Sequence, residues 1–218
     1  MKVPSRPALD IALPALRHGA RADVGVDRHV DGLDFAGADL HDLQADGARL
    51  LECRLLECQL GQARLRRARL SSCVLDGVTA MAIDAAESTW ADVVVKGGRV
   101  GALLLNGAEL RRVALVGVRV DYLNLRAASV TEVRLVDCRI GELDLSAADL
   151  SHVWFERCQL ARLDITGARL TALDLTGADL DALDGIGSIR GAVLNAAQVT
   201  SLAPAFAAHL GVDVRDES

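Results

Sequence analysis

The chain has 218 residues, 51% hydrophobic but only 3% aromatic, with 24 Lys and Arg against 30 Asp and Glu for a formal charge of −6. That length suits one domain, no apolar run approaches the roughly 18 residues of a membrane span, and net acidity disfavours direct nucleic-acid binding. Residues 1–30 carry no repeat and are expected to form an irregular N-terminal cap. Their one apolar patch contains Asp10 and Pro14, which argues against a secretory signal.

From Phe35 to Leu180 every fifth residue is apolar, at thirty consecutive positions, a run that chance would give roughly once in 10⁹ tries. Calling this residue i, position i−2 is also apolar (Leu33, Ala38, Leu43, Ala48, Cys53 and onward), broken only by Ser88 and Gly98. A helix would smear this spacing around its axis, because five residues advance the face by about 140°. A flat strand would send alternate repeats to opposite faces, because five is odd. The chain must therefore extend briefly and turn once per repeat, always the same way, with i−2 and i inside. Glycine at i+2 (Gly37, Gly47, Gly77, Gly97, Gly107, Gly117, Gly167, Gly177) suits such corners. Coils then stack about 4.8 Å apart through a parallel ladder. Residues 31–184 are an all-β solenoid. Ala80, Ala85, Ser88 and Gly98 thin its core, leaving room for a bend or looseness over residues 76–98.

The positions outside this period carry banded charge. Residues 99–139 have seven bases and four acids, with Arg99, Arg119 and Arg139 expected in one column. Residues 141–184 have nine acids and three bases, with Asp144, Asp164 and Asp184 in another. Stacked like charges repel unless opposed, so each ladder is either neutralised by neighbours or kept for a partner. Val74, Val94, Ala114 and Trp154 at i−1, with Val116 and Val136 at i+1, form an apolar outer face. Such a patch marks an interface, unless its side chains fold back on the corner backbone.

After Leu180 the repeat decays, and residues 185–218 are expected to hold a last irregular coil and a short helix over Val199–Gly211. Thr200 or Ser201 would cap it, Pro204 would sit in its first turn and Gly211 would end it. Leu202, Phe206 and Leu210 share one face.

Ala38-Asp39-Leu40, Ala148-Asp149-Leu150 and Ala178-Asp179-Leu180 resemble the A(D/N)LXX units of pentapeptide repeat proteins. The resemblance implies a right-handed quadrilateral parallel β-helix, four repeats per coil. It also implies a homodimer through the C-terminal helix, as in the Qnr-type and mycobacterial fluoroquinolone-resistance members.

Repeats of constant length leave no room for the loops that build a catalytic cleft. The five histidines fit no metal or triad spacing, and no phosphate loop or nucleophile elbow occurs. Neither enzyme activity, cofactor nor metal is expected. Cys53, Cys58, Cys73, Cys138 and Cys158 all occupy i−2 and read as buried free thiols, which a reducing cytoplasm permits. The expected function is a non-enzymatic protein-binding scaffold without membrane or nucleic-acid partners. The alternative implied by resemblance is a DNA mimic that binds DNA gyrase and modulates it or protects it from quinolones. Its acidic face would comprise Asp144, Asp149, Asp164, Asp174, Asp179 and Asp184, because acidic columns on a rod can occupy a basic DNA-binding saddle.

Overall fold

The computed structural model describes Arg6, Ala8 and residues 10–214. The outermost parts of the expected end segments, residues 1–5, 7, 9 and 215–218, lie outside the described residues. The chain folds as a parallel β-solenoid of about nine turns closed by one C-terminal helix. Paired residues are 20 apart through most of its body, as in Arg99↔Arg119↔Arg139 and Val113↔Val133↔Val153, with a register shift where Gly61 pairs Ala80. Each coil therefore has four five-residue sides. Below, each side is named by one inward residue: Phe155, Leu160, Ile165 or Leu170.

Positions i and i−2 form one continuous core from Val24 to Ala178. Between residues 85 and 164, three corners in every four place i+2 in the left-handed region, with φ between 51° and 67°. Glycine serves at Gly97, Gly107 and Gly117, yet Glu87, Asp92, Arg112 and Ala127 adopt the same conformation. The corner geometry is thus imposed by the stacked ladder, which overrides the cost of φ > 0 for residues with a Cβ. The fourth corner, at Ala82, Ala102, Tyr122, Glu142 and Arg162, lacks positive φ. There the strands run on unbroken, as in Thr79–Asp84, Arg99–Leu104 and Arg119–Asn124.

The thinned stretch does not bend. Thr89–Lys96 keeps full register with the strands before and after it. Trp90 points inward and is 1% exposed. Its large indole joins the core in the coil where Ala80, Ala85 and Ser88 are small. Ser88 satisfies its hydroxyl by donating to Ala85 O at 2.6 Å.

All five cysteines are buried and free. Each Sγ lies near the carbonyl oxygen 23 residues earlier, as with Cys138 to Leu115 O (3.4 Å) and Cys158 to Leu135 O (3.4 Å). Burial pushes the Cys58 thiol up.

The C-terminal helix spans Ala196–Leu210 and so begins one turn earlier than the sequence suggests. Asn195, not Thr200 or Ser201, is its N-cap: its side chain accepts from Gln198 N (2.9 Å) while Gln198 Oε1 accepts from Asn195 N (2.9 Å). This reciprocal pair is a capping box. It outcompetes the later hydroxyls because Gln198 also reaches into the coil below. Pro204 consequently lies inside the helix rather than in its first turn.

Candidate interaction surfaces

With the interior filled by side chains, the four sides and two ends are what the molecule presents. The Ile165 side carries the column Asp84, Leu104, Asn124, Asp144, Asp164, Asp184. Four of its polar members share a local task. Asp84 accepts from Ala86 N, Asn124 from Arg126 N, Asp144 from Ser146 N and Asp164 from Thr166 N, at 2.8–3.2 Å. Asp39 and Asp174 do the same for His41 N and Thr176 N on other sides. The Asp or Asn at i−1 thus satisfies the amide at i+1, the short side-chain-to-backbone bond these residues favour in turns. Asp144 is further bonded by Ser146 Oγ and is buried. Asp184 pairs with Arg162 Nη2 at 2.6 Å.

The six acidic residues singled out from sequence do not share one face. Asp144, Asp164 and Asp184 are together. Asp149 is on the Leu170 side, directly below Arg169, to which it is hydrogen-bonded. Asp174 is on the Phe155 side in line with Trp154, and Asp179 is on the Leu160 side in line with Gln159. A period of 20 residues returns to the same side, whereas steps of five or ten turn one or two corners.

The arginine ladder lies on the Leu160 side. Asp121 neutralises part of it, 3.1 Å from Arg99 Nη2 and 3.8 Å from Arg119 Nε. Among the described residues no carboxylate lies within ion-pair distance of Arg139. Arg119, Asp121, Arg139, Gly141, Gln159 and Asp179 line a notch of about 310 Å³ there. Elsewhere an arginine often sits one coil above its acid: Arg112 on Asp92 (2.5 Å) and Arg157 on Asp137 (2.7 Å). In these pairs the guanidinium holds each aspartate below the usual carboxylate range.

The expected apolar face is not open. Val74, Val94, Val136 and Trp154 are 6%, 1%, 2% and 5% exposed, and Val116 is half-buried. Residues of the N-terminal segment bond to side chains that flank them. Arg6 Nη1 donates to Glu156 Oε1 (2.9 Å) and Nη2 lies 3.7 Å from Asp174. Lys96 Nζ donates to Asp10 Oδ1 (2.8 Å). Ile11, Leu13 and Pro14 then line a cavity with Val74, Asp76 and Arg54, before Arg17–His18 pairs with Leu33–Asp34. The sequence signal for this was present in the apolar stretch around Asp10. It was unreadable as a cover because contacts across 86 and 150 residues leave no local period.

At the C-terminal end, Gln198 Nε2 donates to Leu175 O and Ala178 O, both at 2.7 Å, closing the last coil. Leu202 and Phe206 are half-buried, while Leu210 is 74% exposed. Among the described residues, no three His, Cys, Asp or Glu converge as a metal site would require, and no helix is long and apolar enough to cross a membrane.

The sequence family described as pentapeptide repeats matches residues 144–181, in 8 copies. The sequence matches no curated protein. Among solved structures, the chain is similar to HetL, a pentapeptide repeat protein involved in heterocyst differentiation regulation from the cyanobacterium Nostoc sp. strain PCC 7120. The identity is 21% over 79% of this chain and 90% of that one, with a TM-score of 0.33. It is similar also to QnrB1, a plasmid-mediated fluoroquinolone resistance protein. The trypsin-treated form is 16% identical over 93% of this chain and all of that one, with a TM-score of 0.39. The full-length form is 19% identical over 87% and 94%, with a TM-score of 0.29.

Proposed function

Because this chain belongs to the pentapeptide-repeat family, we propose that it is a non-enzymatic scaffold that binds another protein through its outer sides. The observation that carries this reading is the set of charged columns held in 20-residue register, above all Arg99, Arg119 and Arg139 with the notch beside them. Stacked guanidinium groups favour a partner with spaced carboxylates, since like charges at coil spacing repel until opposed. The C-terminal helix is proposed as a homodimer contact, with exposed Leu210 at its tip. Site-specific photo-crosslinkers at Gln159 and Asp179 test the scaffold in the cells that make it. One saturable crosslinked protein, lost with Arg119→Glu/Arg139→Glu, is expected. Equal labelling in that variant, with unchanged melting, would overturn the assignment of this side.

A second reading, DNA mimicry toward DNA gyrase, is favoured by the aligned Asp144, Asp164 and Asp184 column. Supercoiling by purified gyrase, with and without a quinolone, tests it. The informative variant is Asp144→Asn/Asp164→Asn/Asp184→Asn, which keeps at positions 144 and 164 the turn bond that Asn124 makes and removes the charge. Loss of any inhibition or protection in that variant supports mimicry. An effect absent from the native protein at micromolar concentration removes it.

A further inference from the structure

Among the described residues, Arg6 and residues 10–16 hold to the solenoid without joining its backbone ladder. Among the described residues, the first backbone hydrogen bond to a coil is Arg17 N to Gly32 O. Before it, the attachment consists of the Arg6 and Asp10 ion pairs and the apolar contacts of half-buried Ile11, Leu13 and Leu16. Both ion pairs are solvent-exposed, and such pairs contribute little. A half-open cleft of about 390 Å³ lies where Ile11, Leu13 and Pro14 meet Val74, Asp76 and Arg54.

The surface beneath is more specific than the segment on it. Glu156 and Asp174 give it an acidic end, Lys96 gives it a basic one, and Val94, Ala114, Val116, Val136 and Trp154 form an apolar floor interrupted by Arg134, which lies between Ala114 and Trp154 and pairs with Glu156 at 2.6 Å. Glu156 and Lys96 are three coils apart in one column, about 14 Å at strand spacing. Arg6 and Asp10, four residues apart in sequence, reach Glu156 and Lys96. The paired charges and the apolar positions between them match a segment that crosses successive coils along the rod.

We propose that the Phe155 side is a docking groove for an extended segment of a partner protein, with residues 6–16 as its intramolecular cover. The partner segment carries a cation four residues before an acid, followed by alternating aliphatic residues. This rests on the scaffold reading and adds to it the groove, the partner chemistry and a closed state. A tethered cover competes at high effective concentration, so the native chain binds such a segment weakly and the uncovered chain binds it well.

The test uses the full chain carrying Trp90→Phe, so that Trp154 is its one tryptophan, and a fluorescein-labelled peptide of residues 6–16. Arg6→Glu/Asp10→Lys, which repels the cover from Glu156 and Lys96, is expected to make Trp154 accessible to acrylamide. It should also tighten peptide binding about tenfold, as removal of a competing closed state does. Adding Lys96→Glu should abolish the gain, and a peptide with Asp10→Lys should restore it. Conversely, an Asp10→Cys/Lys96→Cys chain closed by its disulfide should exclude the peptide until reduced. The proposal fails if the Arg6→Glu/Asp10→Lys chain melts cooperatively yet binds peptide no better than the native cover allows. It fails equally if Trp154 stays shielded, whether because the cover remains or because a second copy occupies the groove. None of these failures touches the crosslinking test on the Leu160 side.

Discussion

At the residue scale, each position of the repeat has one physical job, and substitutions should separate the jobs. Leu163 is fully buried at i−2. Leu163→Ala should cost about 2–5 kcal/mol, the range for truncating a buried leucine. Asp164 accepts from Thr166 N. Asp164→Ala should therefore cost about 1 kcal/mol, the net worth of one hydrogen bond, while Asp164→Asn should cost far less because Asn124 fills the same role. Gly117 sits at φ 64°, and Gly117→Val should cost about 1–2 kcal/mol for forcing a β-branched residue into that region. Urea melts of the four variants read all these differences. The buried thiols and the inward leucines were legible in the sequence because they lie on the period. The amide-bonding role of i−1 was not, because a carboxylate at a corner looks the same whether it faces a backbone N–H or water.

At the element scale, the C-terminal helix is fastened at its start by two side chains, Asn195, which donates to Thr176 O at 3.1 Å, and Gln198. Gln198 completes the capping box and donates to two carbonyls of the last coil. Gln198→Ala leaves Leu175 O and Ala178 O without that donor, and should cost about 1–3 kcal/mol. The loss should be local. Amide exchange at Leu175 and Ala178 should quicken while that at Leu123 and Leu143 does not change, because a solenoid's stability is carried by neighbouring coils. A helix near the end was foreseeable from Leu202, Phe206 and Leu210. Its true start was not, since the choice of Asn195 over Thr200 depends on carbonyls that only the stacked coil brings within reach of Gln198.

For the whole molecule, acid should act first on the cover. The Arg134 guanidinium, 2.6 Å away, holds Glu156 below the usual carboxylate range, with Arg6 adding to the effect, and Lys96 does the same for Asp10. Because these folded-state values lie below the unfolded ones, the stabilisation is fully present at neutral pH. It declines as pH falls from the ordinary carboxylate value near 4 through the lowered one. Trp154 emission should shift red below about pH 4 before the coils themselves melt, and Glu156→Gln should show part of that shift at neutral pH. The five-residue period by itself determined the solenoid, its core, its thiols and the 20-residue columns, because a strictly repeated local instruction has one stacked solution. It did not determine which outer surface is available. The six acidic residues were dispersed to four sides by the corners, Trp90 joined the core in the coil where Ala80, Ala85 and Ser88 are small, and side chains flanking the apolar face were bonded by residues up to 150 positions away. Those outcomes come from contacts between parts of the chain that share no period, and only the assembled coils bring them together.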